Sequence, residues 1–117
     1  MTEEAIVDGT TAGPCCVPPG DVDPDAMATD LRVLTAMGND TRYELLRRIA
    51  NADDGVCVCD LEAAVGVSQS AVSQALSRLY TAQLVTRRKE GSWRYYEATE
   101  TASALLETLD DLRSTHE

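Results

Sequence analysis

The sequence has no apolar run near the length of about 18 residues that a membrane-spanning helix needs, and it has no positively charged, apolar leader. A cytoplasmic protein is therefore expected, with no membrane partner. Histidine is almost missing. The one histidine, His116, stands near the end of the sequence and reads as a solvated residue. It completes no zinc-binding pattern with the cysteines. No nucleophile–base pair, glycine-rich phosphate loop or plausible pair of catalytic carboxylates can be picked out, so an enzyme is not expected. Basic charge is scarce too: ten Lys and Arg stand against twenty Asp and Glu, for a formal net charge of −10. Such an acidic excess looks wrong for a nucleic-acid binder. It is the style of proteins that work at high salt, where self-repulsion is screened. High salt also weakens DNA binding driven by counterion release.

What is present is unevenly placed. Residues 1–30 carry seven acids and no base, and residues 97–117 carry six acids and one base. Between them, residues 68–96 carry five bases (Arg78, Arg87, Arg88, Lys89, Arg94) and a single acid, Glu90. A local basic stripe matters more for phosphate contact than the total charge does. With 117 residues the chain fits one small domain, whose marginal core makes oligomerisation a reasonable expectation.

Residues 1–22 include "DGTTAGPCCVPPGD" and read as a flexible acidic tail bearing Cys15 and Cys16. A folded domain is expected over residues 23–117. Asp23 suits a helix N-cap and Pro24 the first helical position. Met27, Leu31 and Leu34 then recur at i, i+4, i+7, and Gly38-Asn39 ends that helix. "DTRYELLRRIAN" is a second helix, with Tyr43, Leu46, Ile49 and Ala50 on one face. "CDLEAAVG" is a short third helix with Leu61, Ala64 and Val65 inward and Gly66 as its stop. Ser68 caps a fourth, "QSAVSQALSRLYTAQ", whose apolar stripe is Val72, Leu76 and Leu79. "LVTRRKEGSWRYYEA" changes to period two and reads as a hairpin turning at Gly91, with Trp93, Tyr95 and Tyr96 as packing groups. "TETASALLETLDDLRSTHE" is a last amphipathic helix with Leu105, Leu109 and Leu112 in line. The fold expected is mainly α with a small β-hairpin: a winged helix-turn-helix with an extra helix at each end.

The exposed side of the fourth helix is built from small polar groups. Gln69, Ser70, Ser73 and Gln74 near its start are the candidates for base contact, since Gln pairs with adenine edges and Ser with several bases. Arg78 at its far end, and Arg87, Arg88, Lys89 and Arg94 on the hairpin, are the candidates for phosphate contact, which positions a protein without specifying sequence. The plainer reading is that Ser and Gln merely solvate a surface helix.

The cysteines come as two close pairs, Cys15-Cys16 and Cys57/Cys59. Clustered cysteines in a cytoplasmic chain read as metal or redox groups rather than as a disulfide framework. Within a helix, residues at i and i+2 point about 200° apart. Cys57 and Cys59 can therefore share an ion only if Cys57 lies in, or just before, the first turn of the third helix. A helix N-terminus favours thiolate over thiol, and thiolates select soft ions. The plainer reading is that both are small core residues. Cys15 and Cys16 have little to pack against in an acidic tail. The economical expectation is that they join Cys57 and Cys59 around one ion.

The stretch "VCVCDLEAAVGVSQSAVSQALSRLYTAQLVTRRKEGSWRYYEAT", with "LRVLTAMGNDTRYELLRRI" before it, resembles the ArsR/SmtB family of metal-responsive repressors over about residues 28–112. The resemblance implies a homodimer formed through the first and last helices, which binds double-stranded operator DNA and releases it when an inducing ion binds. It maps Cys57 and Cys59 onto the sensing cysteines of a "CVCDL" motif. It maps Gln69, Ser70, Ser73 and Gln74 onto the recognition helix. Some arsenite sensors of the family carry a third cysteine where this chain has Glu62. Some cadmium/lead sensors use two N-terminal cysteines that cross to the other protomer, an arrangement Cys15 and Cys16 resemble. The family's second metal site on the last helix needs a ligand spacing that Asp110, Asp111, His116 and Glu117 do not have. Histidine often follows the position of Gln74 in the family, whereas Ala75 does here.

The expected inducer is arsenite or antimonite, which suit three thiolates, with Cd(II) or Pb(II), which suit four, as the alternative. Two other readings stay open: a thiol redox sensor on the same scaffold, and a dimeric interaction module that does not bind DNA.

Overall fold

The computed structural model describes residues 19–115. Five helices and three strands follow in order: α1 (Pro24–Met37), α2 (Asp40–Ala50), β1 (Val56–Cys57), α3 (Val58–Val65), α4 (Gln69–Thr81), β2 (Val85–Glu90), β3 (Trp93–Ala98) and α5 (Glu100–Thr115). Helix starts follow side-chain caps. Asp23 accepts from the Ala26 N–H ahead of Pro24, Asn39 from that of Arg42, and Ser68 from that of Ala71. Each cap satisfies a backbone donor that the first turn leaves without a partner, worth about 1 kcal/mol. Gly66 stops α3 in the left-handed conformation, as expected of a glycine there.

The end of α4 departs from expectation. The sequence extends the helix through Gln83, but α4 ends at Thr81 and Gln83 takes φ 63°. The Leu84 N–H bonds Leu79 O and the Gln83 N–H bonds Tyr80 O, the paired pattern of a Schellman stop. Leu79 and Leu84 are both fully buried, which supplies the hydrophobic contact that goes with this motif.

The sheet is antiparallel in the order β1-β3-β2. The hairpin is therefore one strand wider than expected. Val56 and Cys57 pair with Tyr96 and Tyr95, and the hairpin register runs from Val85 opposite Ala98 to Glu90 opposite Trp93. Gly55 makes this approach possible. Its φ is +90°, and a Cβ there would stand 3.1 Å from Glu97 Cγ and 3.3 Å from Arg88 Nη1.

The core lies where α2, α4 and the sheet meet. It is filled by Leu45, Leu46 and Ile49 of α2, Leu61 of α3, and Val72, Leu76 and Leu79 of α4, and by Leu84, Val85, Tyr96, Ala102 and Leu106. Burying each Leu or Ile contributes about 1.5–3 kcal/mol. Helix α1 adds only Ala36 and Met37 to this core. Its stripe of Met27, Leu31 and Leu34 is left 51%, 48% and 57% exposed. On α5 the inward residues are Ala102 and Leu106, while Leu105 and Leu109 are half-buried and Leu112 is exposed. The leucine line of α5 is thus not its core face. Ala64 is exposed as well, because Leu61 and Val65, one turn apart, define the inner side of α3.

Candidate DNA interface and thiol site

Helices α3 and α4 are joined by the short turn at Gly66 to Ser68, and α4 presents its first turns to solvent. Gln69, Ser70, Ser73, Gln74 and Arg78 are all exposed, while Val72, Ala75, Leu76 and Leu79 hold the helix down. Ala75, 6% exposed, belongs to the core side of α4 rather than to the polar face.

The wing divides its charges between two faces, because side chains alternate along a strand. Arg87 and Lys89 of β2 share a face with their cross-strand partners Tyr96 and Arg94. This face adjoins α4: Arg87 and Arg94 line a cleft of about 460 Å³ together with Gln69, Ser73 and Ser77. The Arg87 guanidinium also stacks on the Tyr80 ring of α4, 3.9 Å from its centroid, which fixes the wing against the helix. Arg88 points the other way. It is ion-paired with Glu90 at 2.8 Å and with Glu97 at 3.4 Å, it donates to Asp54 O, and it lies over the Tyr95 ring. The neighbouring Glu90 carboxylate raises the Arg88 pKa further, so its charge is permanent but locally balanced. Of the aromatic residues expected to pack the hairpin, Tyr96 is buried and Tyr95 half-buried, but Trp93 at the tip is 54% exposed.

Cys57 and Cys59 stand at the start of α3. Cys57 is the N-cap of α3 and is buried, and Cys59 is in the first turn and exposed. The Cys57 sulfur takes the capping role itself, accepting from the Cys59 N–H at 3.4 Å. Contrary to the expectation for a helix start, the Cys59 thiol is pushed up from its ordinary pKa. The hydrogen bond with Cys57 is the main cause, with desolvation and the charge of Asp60 adding to it. Cys59 lines the same cleft as Gln69 and Ser73, and so does Glu62, one turn along α3. Among the described residues no third His, Cys, Asp or Glu completes a metal-binding group with this pair. Cys15, Cys16 and His116 lie outside the described residues. Also among the described residues, no helix is long and apolar enough to cross a membrane.

These elements define a winged helix-turn-helix protein of the kind that regulates transcription by binding DNA. The profile of the family described as "Bacterial regulatory protein, arsR family" matches residues 39–87. The chain is 79% identical, over its whole length and all of the relative's, to a Halobacterium salinarum protein, ArsR2, named as a candidate arsenical resistance operon repressor. A second Halobacterium salinarum protein, ArsR, named in the same way, is 44% identical over 75% of this chain and 68% of its own. Among solved structures, the homodimeric winged helix-turn-helix DNA-binding domain Mb0332 of Mycobacterium bovis is 25% identical. It superposes with a TM-score of 0.70 over 85% of this chain and 93% of that one. The chain belongs to the ArsR family, a family of transcriptional regulators and not of enzymes.

Proposed function

We propose that the chain is a dimeric repressor in the cytoplasm that holds operator DNA until a thiophilic metalloid, arsenite or antimonite, binds its cysteines. The observation that carries this reading is the shared cleft: Cys59 of α3 opens into the same space as Gln69 and Ser73 of α4. An ion held there changes the surface that reads bases. The names of the two Halobacterium salinarum relatives point to the same inducer class.

Dimerisation is supported by the open stripe of Met27, Leu31 and Leu34 on α1. A second protomer would cover it and place two copies of α4 about one helical turn of DNA apart. Gln69, Ser70, Ser73 and Gln74 would read bases. Arg78, Arg87, Lys89 and Arg94 would hold phosphates, with Arg88 on the wing's other face bracing it beside the backbone.

Cys57 and Cys59 supply two sulfurs to the metalloid, and Cys15 or Cys16, from the same or the other protomer, supplies the third. Each As–S bond forms as a thiol proton and an arsenic-bound hydroxide leave together as water. No oxidant is needed. Binding draws on the atom that caps α3, so the start of α3 moves and α4, packed against it, is displaced. A coupling of about 1–3 kcal/mol is typical of allosteric proteins. Cd(II) or Pb(II), taking all four cysteines, is the alternative inducer.

The test is a titration of reduced protein on its own promoter fragment at fixed salt, with arsenite, Cd(II), Zn(II) and peroxide added in turn. Wild type is compared with Cys57→Ser and with Cys15→Ser/Cys16→Ser. Release by arsenite that both variants abolish is the expected result. Release by peroxide alone would replace the metalloid sensor with a redox switch. Absence of binding to any duplex would leave only an interaction module.

A further inference from the structure

In this acid-rich chain the cations that lack a carboxylate partner are not scattered. Among the described residues Arg47, Arg48, Arg88 and Arg113 are ion-paired with Asp or Glu. Arg32, Arg42, Arg78, Arg87, Lys89 and Arg94 form no such pair. Three of these six, Arg87, Lys89 and Arg94, make up the wing face beside α4. The other three lie on the opposite flank of α4, where a groove of about 710 Å³ runs between α1 and α4 and is lined by Arg32, Arg42 and Arg78.

Among the described residues no Asp or Glu lines this groove, although acids outnumber bases two to one in the sequence. A smaller cleft of about 250 Å³ shares Arg42, Gln74 and Arg78 with it, and no acid among the described residues lines it either. Arg42 is fixed in place. Its Nε donates to Ala36 O at 2.8 Å and its Nη2 to Thr35 O at 3.1 Å, which anchors it on the last carbonyls of α1. Its remaining guanidinium donors are left for a ligand. Arg32 is exposed one turn earlier on α1, and its side chain makes no hydrogen bond or ion pair among the described residues. Gln74 and Arg78 of α4 form the groove's other wall. An acid-free groove with three cations beside a DNA-reading helix fits a polyanion backbone.

We propose that the groove between α1 and α4 is a second phosphate track, in which Arg32 and Arg42, with Arg78, hold the DNA backbone on the side of α4 away from the wing. The recognition helix is then clamped from both flanks. The inference rests on the DNA-binding reading above and adds residues outside the helix-turn-helix and wing.

The experiment measures binding to the chain's own promoter duplex, and to an unrelated duplex of equal length, across a range of salt concentrations. Arg32→Gln is the main variant because, among the described residues, no partner depends on the Arg32 side chain, and Arg32→Lys and Arg87→Gln are run beside it. Losing one phosphate contact per protomer reduces the steepness of log K against log salt by about two for a dimer. Arg32→Gln should show this loss, weaken both duplexes by the same factor, and be rescued by Arg32→Lys. An unchanged slope for Arg32→Gln beside a reduced slope for Arg87→Gln would overturn the track and leave the DNA reading standing. Weaker dimerisation of Arg32→Gln in sedimentation, with an unchanged slope, would assign the groove to the protein interface and also overturn it. If wild type bound neither duplex, both readings would fall together.

Discussion

The Cys57 sulfur accepts a hydrogen bond from the Cys59 N–H at 3.4 Å, so the atom that caps α3 is also a candidate metalloid ligand. The two roles can be separated by substitution. Serine is a strong N-cap and a poor ligand for soft ions, whereas alanine can neither cap nor ligate. Cys57→Ser should therefore keep the stability of wild type to within about 1 kcal/mol, while Cys57→Ala loses about 1 kcal/mol in urea unfolding. Both should bind DNA and fail to respond to arsenite. A Cys57→Ser variant that still released DNA on arsenite would remove this sulfur from the sensor.

Helices α2 and α5 are joined by a two-pronged contact. Arg47 Nη2 lies 2.9 Å from Asp110 Oδ1, and its Nη1 donates to Asp110 Oδ2 at 3.2 Å. Arg47 Nε also donates to the Tyr43 hydroxyl at 2.7 Å, and Arg113 pairs with the same Asp110 carboxylate. The Arg47 guanidinium, helped by Arg113, holds the Asp110 carboxyl below its ordinary pKa. A carboxyl whose pKa is lower in the folded state stabilises that state above the unfolded value of about 3.9 and stops doing so as pH falls through the folded value. The gap in Tm between wild type and Asp110→Asn should thus be steady from pH 7 to about 5 and close below about 4. A gap that did not change with pH would mean that the ion pair contributes nothing to stability.

The open stripe on α1 makes a prediction about assembly. Met27, Leu31 and Leu34 stay near half exposed among the described residues, an apolar stripe of the kind that marks an interaction surface. Leu34→Glu should shift sedimentation toward monomer at micromolar concentration, with little loss of helix content, and should weaken operator binding through loss of the paired half-sites. If Leu34→Glu remained dimeric, the interface would have to lie elsewhere.

Much of this architecture can be read from side chains that act locally. Asp23, Ser68 and Gly66 each mark a boundary because capping depends on only a few neighbouring residues. The position of Cys57 just before α3 meets the condition the sequence set for sharing an ion with Cys59, but its capping role is not marked by residue type. What escapes the sequence depends on distant partners. Strand β1 has two residues and exists only because Tyr95 and Tyr96 stand opposite it. The inner face of α5 is missed because alanine at 102 fills a close contact, whereas the eye follows the leucines. The turn at Gln83 is missed because left-handed backbone is read from glycine, and here burial of Leu79 and Leu84 holds it instead. The candidate DNA-contact residues can be picked from the sequence as a group, and alternation along β2 separates Arg87 from Arg88. The α1–α4 groove was not legible at all, since Arg32, Arg42 and Arg78 come from three helices.

That difference between Arg87 and Arg88 gives the last prediction. Arg87 has no carboxylate partner among the described residues and faces the cleft beside α4, whereas Arg88 sits between Glu90 and Glu97. Neutralising Arg87 removes a charge that phosphate can use. Neutralising Arg88 leaves two acids without their partner and loosens the contact to Asp54 O. Arg87→Gln should flatten the salt dependence of DNA binding by about one phosphate contact per protomer. Arg88→Gln should weaken binding with little change in slope, and the double variant Arg88→Gln/Glu90→Gln should regain part of the loss, because it removes one of the stranded carboxylates. Equal slope changes for the two arginines would show that Arg88 leaves its carboxylates to reach the DNA backbone.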